Sequence, residues 1–87
     1  MLFKAFEWDD ANIEHMLMHN VVPDEAEEAS VNKPYLRKTA ERRYLVYGFA
    51  DDGRYLFIVG TSKGRGVFRT MTARDMTERE KSLYKRK

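Results

Sequence analysis

The sequence predicts an α+β domain built on an antiparallel sheet, and three observations carry that prediction. Two β-rich runs, RRYLVYGFA (42–50) and RYLFIVG (54–60), flank Asp51-Asp52-Gly53, a turn whose glycine accepts positive φ. Ile13, Met16 and Leu17 fall at i, i+3 and i+4, the stripe of a short helix with one buried face. Thr77 and Glu80 fit a capping box that opens a terminal helix. The expected order is β, α, α, β, β, β, α, with the helices on one face of a three-stranded meander and the N-terminal strand at an edge.

Each element follows from its own residues. LFKAFEW (2–8) alternates loosely, carries three aromatics and reads as the first strand, ending near Trp8. Asp9 and Asp10 supply an N-cap and first-turn negative charge for the helix through ANIEHMLMH, and Asn20 suits the left-handed residue at its end. Pro23 takes a first helical position, with Asp24 and Glu25 at the positive end of the helix dipole. VNKPYLRKTAE (31–41) has a proline and no clean period, and is expected to be a connector. SKGRG turns the chain into a third consecutive strand, VFRTMTA (67–73), and Glu78 to Lys87 form the last helix.

Length and composition limit what the chain can be. Its 87 residues suit one small domain spanning 1–87, and 43% hydrophobic with 13% aromatic residues is enough for a folded core. No cysteine is present, which removes disulfides, thiolate metal sites and cysteine nucleophiles. The longest nearly unbroken apolar run, YLFIVG, is far short of the roughly 20 residues of a membrane span, and MLFKAFEWDD lacks the pattern of a signal peptide. A cytoplasmic protein is expected. The net charge of +2 hides an asymmetry: residues 1–30 hold eight carboxylates against one lysine, and residues 61–87 hold nine basic against three acidic groups. A basic C-terminal half is the footprint of a nucleic-acid binder, and equally of a solvated mixed-charge surface.

Lys63, Arg65, Arg69 and Arg74 lie within twelve residues, on a glycine-bearing turn and the strand it feeds. Planar guanidinium groups hold phosphate through paired hydrogen bonds, so the cluster can cradle an RNA backbone; edge charges that block aggregation are the plainer account of Lys63 and Arg65. Arg69, flanked by Val67, Phe68 and Met71 on a paired strand, needs a partner or a function. Strict alternation sends Arg69 and Arg74 to opposite faces, and they converge only if the strand breaks or bulges before Arg74. His19, at a helix end, is a candidate for proton transfer or simply a cap for the last carbonyls. His15 and His19 sit four apart without a third ligand at a recognisable spacing, so no metal and no cofactor is expected. Trp8 and the strand tyrosines suit a core or a stacking platform.

FEWDDANIEHMLMHNV, DEAEEA, ERRYLVYGFADDGRYLFIVGTSKG and RTMTARDMTERE followed by Tyr84 resemble the BrnT toxins of bacterial type II toxin-antitoxin operons over nearly the whole chain. The resemblance implies a RelE-like fold and a ribonuclease that inhibits translation. It also implies a ribbon-helix-helix antitoxin that neutralises the toxin, binds operator DNA and assembles with it, as a heterotetramer. Arg69 and Arg74 match the family's functionally important arginines, and His19 the histidine of its Lys-His-Gly element. Lys63 and Arg65 would then follow neighbouring phosphates. Met18, Asn20 and Asp75 stand where the family often has lysine, glycine and arginine. The alternative is a toxin-like chain without activity that serves as a partner-binding co-repressor subunit.

Overall fold

The computed structural model describes residues 3–87. The elements are β1 (Ala5–Phe6), α1 (Asp10–Leu17), α2 (Pro23–Val31), β2 (Tyr35–Ala40), β3 (Arg43–Phe49), β4 (Tyr55–Gly64), β5 (Val67–Asp75) and α3 (Glu78–Lys85). They make an α+β fold on one five-stranded sheet of order β1-β5-β4-β3-β2. β2 to β5 pair antiparallel, whereas β1 runs parallel to β5, which makes the sheet mixed. The expected N-terminal strand over 2–8 is cut to two residues at the sheet edge, and Leu2 lies outside the described residues.

Local signals in the chain set the helix ends. Asp9 caps α1 by accepting from the Asn12 N–H at 3.2 Å, while the Asn12 side chain accepts from the Asp9 N–H at 2.8 Å. Asn12 is buried and also donates to the carbonyls of Glu7 and Thr70, so it pins the entry of α1 to β5. Asn20 takes φ 59 just past α1, Pro23 opens α2, and Thr77 and Glu80 close a reciprocal capping box on α3. Gly53, Gly64 and Arg65 all adopt positive φ in the two hairpin turns.

Three further expectations are corrected. Residues 35–40, expected within a connector, form β2, the outer strand paired with β3 from Tyr35↔Tyr47 to Ala40↔Arg43. Pro34 precedes β2, where its missing N–H interrupts no ladder bond. The helices also divide between the two faces instead of sharing one. Val46, Leu56, Ile58, Phe68 and Ala73 face α1 and α2, and with Phe3, Met16, Val21, Ala26 and Ala29 they form the core. Gly48 lets α2 lie against the sheet, since a Cβ there would collide with the Ala29 carbonyl. α3 lies on the opposite face, where Tyr84 meets Tyr55 edge-on at 6.0 Å and Glu80 reaches Arg74. Leu17, expected to share the buried stripe of α1, is 48% exposed.

Candidate functional site

The feature that decides the placement of the arginines is an irregularity in β5. Val59 pairs with Thr72 and the next residue of β4, Gly60, pairs with Thr70, which leaves Met71 as one extra residue in β5. Gly60 suits this point, because a Cβ there would run into the Phe68 ring. The extra residue resets the alternation. Arg69 stands opposite Thr61 and Arg74 opposite Phe57, and positions 57 and 61 lie an even number apart on a stretch of β4 that pairs with β3 without a break. Both arginines therefore rise from one face of the sheet, the face that α3 covers at one end. Their backbone positions lie about 13 Å apart along the strand.

Each guanidinium is held by carboxylates. Arg69 donates to Glu7 Oε1 at 3.1 Å and to both oxygens of Asp9, at 2.8 and 3.2 Å. Asp9 thus caps α1 and anchors Arg69 at once, and the Arg69 hydrogen bonds, helped by the Asn12 N–H, hold its carboxyl below the ordinary range. Arg74 forms a two-pronged pair with Glu80, at 2.8 and 2.9 Å, and lies 4.4 Å over the Phe57 ring. The hydrogen bonds from Arg74 lower the Glu80 carboxyl in the same way. A shallow cavity of about 200 Å³ reaches Arg69, lined also by Ala11, Asn12, His15 and Met71, and Arg74 is no part of it.

The face around the two arginines is half-apolar and cationic. Register places Leu45, Val59 and Thr72 in one cross-strand row with Arg37, and Arg43 in the next row with Thr61 and Arg69. Leu45, Val59 and Thr72 are only partly buried. A surface that combines guanidinium groups with accessible apolar side chains can hold a polyanion backbone while contacting bases.

The remaining expected site residues fall elsewhere. Lys63, near the end of β4, and Arg65, in the β4–β5 turn, are both exposed, near the end of the sheet that carries Arg69. His19 follows α1 and lies on the α1/α2 side, where its carbonyl accepts from Arg54 at 3.4 Å. The structure thus brings Arg69 and Arg74 to one face by register, while His19 does not line the cavity that reaches Arg69, although its neighbour His15 does. The His15 and His19 rings sit 6.0 Å apart, and among the described residues no three metal-ligating side chains converge.

Sequence reasoning missed Arg54, Arg37 and Arg43. Arg54 donates to Asp75 at 2.6 and 3.2 Å, to Glu25 at 3.1 Å and to the Asn20 carbonyl at 2.7 Å, which ties β4, β5 and both N-terminal helices together. Asp75 is its anchor, and Arg54 lowers the Asp75 carboxyl. Alternation along the expected strand 42–50 is the cue for Arg43, whereas Arg37 has none, because 31–41 reads as a connector and β2 is ordered only by pairing with β3. Compared with known proteins, the chain matches no family model and no curated protein sequence.

Proposed function

We propose that the chain is a metal-independent endoribonuclease toxin that binds single-stranded RNA on the sheet face bearing Arg69 and Arg74. The observation that carries this reading is the extra residue at Met71, which turns two otherwise opposed arginines to one side. RNA brings its own nucleophile: the 2′-oxygen forms a bond to phosphorus, the bond to the 5′-oxygen breaks, and a proton passes from the first oxygen to the second. The protein then has to orient the backbone and stabilise the charged phosphorane. Arg69 and Arg74 are suited to that charge, and Lys63 and Arg65 to flanking phosphates. Because Glu7, Asp9 and Glu80 occupy both guanidinium groups in the free chain, RNA binding involves an exchange of carboxylate for phosphate. A bacterial cytoplasmic setting and a ribbon-helix-helix antitoxin that masks the basic surface complete the proposal, on the strength of the resemblance to BrnT toxins.

The test is RNA cleavage, or arrest of translation in a cell-free extract, by wild type, Arg69→Ala, Arg74→Ala and His19→Ala. Loss of one charge contact is expected to slow cleavage by roughly 10² to 10³ for either arginine. His19→Ala, outside the cavity that reaches Arg69, is expected to change the rate by less than about tenfold, the lower end of general acid–base effects being roughly 10². Equal activity of the arginine variants and wild type would overturn the assignment.

A second reading is a co-repressor subunit without activity. It is favoured by the same ion pairs, since an arginine satisfied by two carboxylates needs no substrate. Harmless expression together with tight binding to an antitoxin would support it.

A further inference from the structure

A second site lies at the far end of α3 from Arg74. Lys33, Pro34, Tyr35, Tyr84, Lys85 and Lys87 line a cleft of about 420 Å³, within the size range of small-ligand pockets. Three ammonium groups border it, and among the described residues none of them is within ion-pair distance of a carboxylate. This sets the cleft apart from Arg69, Arg74 and Arg54, each of which is already neutralised. One wall is the partly exposed Tyr35 ring, which packs on the Tyr47 ring at 5.5 Å and carries the Lys87 ammonium at 4.9 Å, a flexible group that a flat ligand can replace. The other side is fixed. Tyr84 donates its hydroxyl to the Lys33 carbonyl at 3.0 Å, which holds Lys33 at φ 43, a left-handed conformation that a lysine rarely adopts.

We infer that this cleft is a nucleotide subsite, in which a base of single-stranded RNA stacks on Tyr35 while Lys33, Lys85 and Lys87 hold its phosphates. The combination of an accessible aromatic face with unpaired cations is that of single-strand binding surfaces, where stacking is tolerant of base identity. Tyr35 also begins a cross-strand row, Tyr35–Tyr47–Phe57–Arg74, that runs beneath α3 from the cleft to the phosphate-binding arginine. A strand of RNA held at both ends of this row would be fixed in register on the face. The inference rests on the reading of the chain as an RNA binder, and it adds where a nucleotide away from the scissile bond is held.

The experiment uses a 5′-labelled 2′-O-methyl RNA hexamer, which lacks the nucleophile and so separates binding from cleavage. Amide shifts and anisotropy are followed at low and moderate salt. The expected result is perturbation at Lys33, Tyr35, Lys85 and Lys87, an affinity loss on the order of tenfold for Tyr35→Leu, and a shallower salt dependence for the exposed double variant Lys85→Gln/Lys87→Gln. Perturbation confined to Arg37, Arg43, Arg69 and Arg74, with both cleft variants binding as wild type, would overturn the subsite and leave the RNA-binding face standing. Perturbation of the cleft alone, with Arg69→Ala cleaving RNA as wild type, would support the subsite and remove the proposed catalytic face. Displacement of the hexamer from the cleft by a glutamate hexapeptide at equal concentration would overturn it in favour of an acidic protein segment.

Discussion

The two faces of the sheet are built from the same strands and do opposite things. On the side of α1 and α2, Val46, Leu56, Ile58, Phe68 and Ala73 are fully covered, and Arg54 closes the lower margin with carboxylates from two elements. On the side of α3, Val59, Leu45 and Thr72 stay partly exposed, and the arginines lie in shallow ion pairs. The closed face therefore carries most of the stability, while the other is free to change partners. Burial of apolar surface is what distinguishes them, since exposed ion pairs contribute little.

This comparison can be broken at the closed face first. Gly48→Ala is expected to destabilise the fold by about 3 kcal/mol, because the added methyl meets backbone of α2, which cannot rotate away as a side chain would. A urea midpoint unchanged by this variant would show that α2 is not seated on the sheet as described.

Next in size is the margin. Arg54→Met removes hydrogen bonds to Asp75, Glu25 and the Asn20 carbonyl and is expected to cost about 2 kcal/mol at neutral pH. Its pH dependence has a definite sign. The Asp75 carboxyl is depressed in the folded chain, so its contribution is present above the unfolded value of 3.8 and is lost as pH falls through the folded one. The difference between wild type and Arg54→Met should accordingly narrow as the midpoint is followed from about pH 5 downward. A gap that stays constant on acidification would mean that Asp75 is not the main partner.

The smallest effect sharpens the comparison from inside. Thr70 is buried against α1, and its hydroxyl has no hydrogen-bond partner among the described residues. Thr70→Val keeps the shape and removes the unsatisfied group, so a gain of about 1 kcal/mol is expected in the same titration. A loss instead would reveal a partner for that hydroxyl.

Much of the fold was legible wherever the signal was local. Asp9, Pro23, Gly53 and the Thr77–Glu80 box each act within a few residues, and each marks the boundary it was expected to mark. β2 was not legible, because Tyr35–Ala40 is an edge strand whose side chains are mostly exposed and whose order comes from pairing with β3. The parallel register of β1 is likewise a property of where Ala5 and Phe6 meet Val67 and Phe68, and nothing in those two residues encodes direction.

The candidate site divides along the same line. Arg69 and Arg74 were visible as residues whose charge needs an explanation on a paired strand, and the need for a bulge followed from alternation alone. That the bulge falls on Met71, and that Glu7, Asp9 and Glu80 occupy the arginines, depends on strands and helices far apart in the chain. The amino-acid order determined the helix caps, the turns, the α+β class and the charge asymmetry, since these depend on backbone preferences and composition near each residue. Tertiary structure decided which face each cation occupies and which carboxylate it meets, because strand register and helix placement are settled by long-range packing of Phe68, Ile58 and Met16 in one shared core.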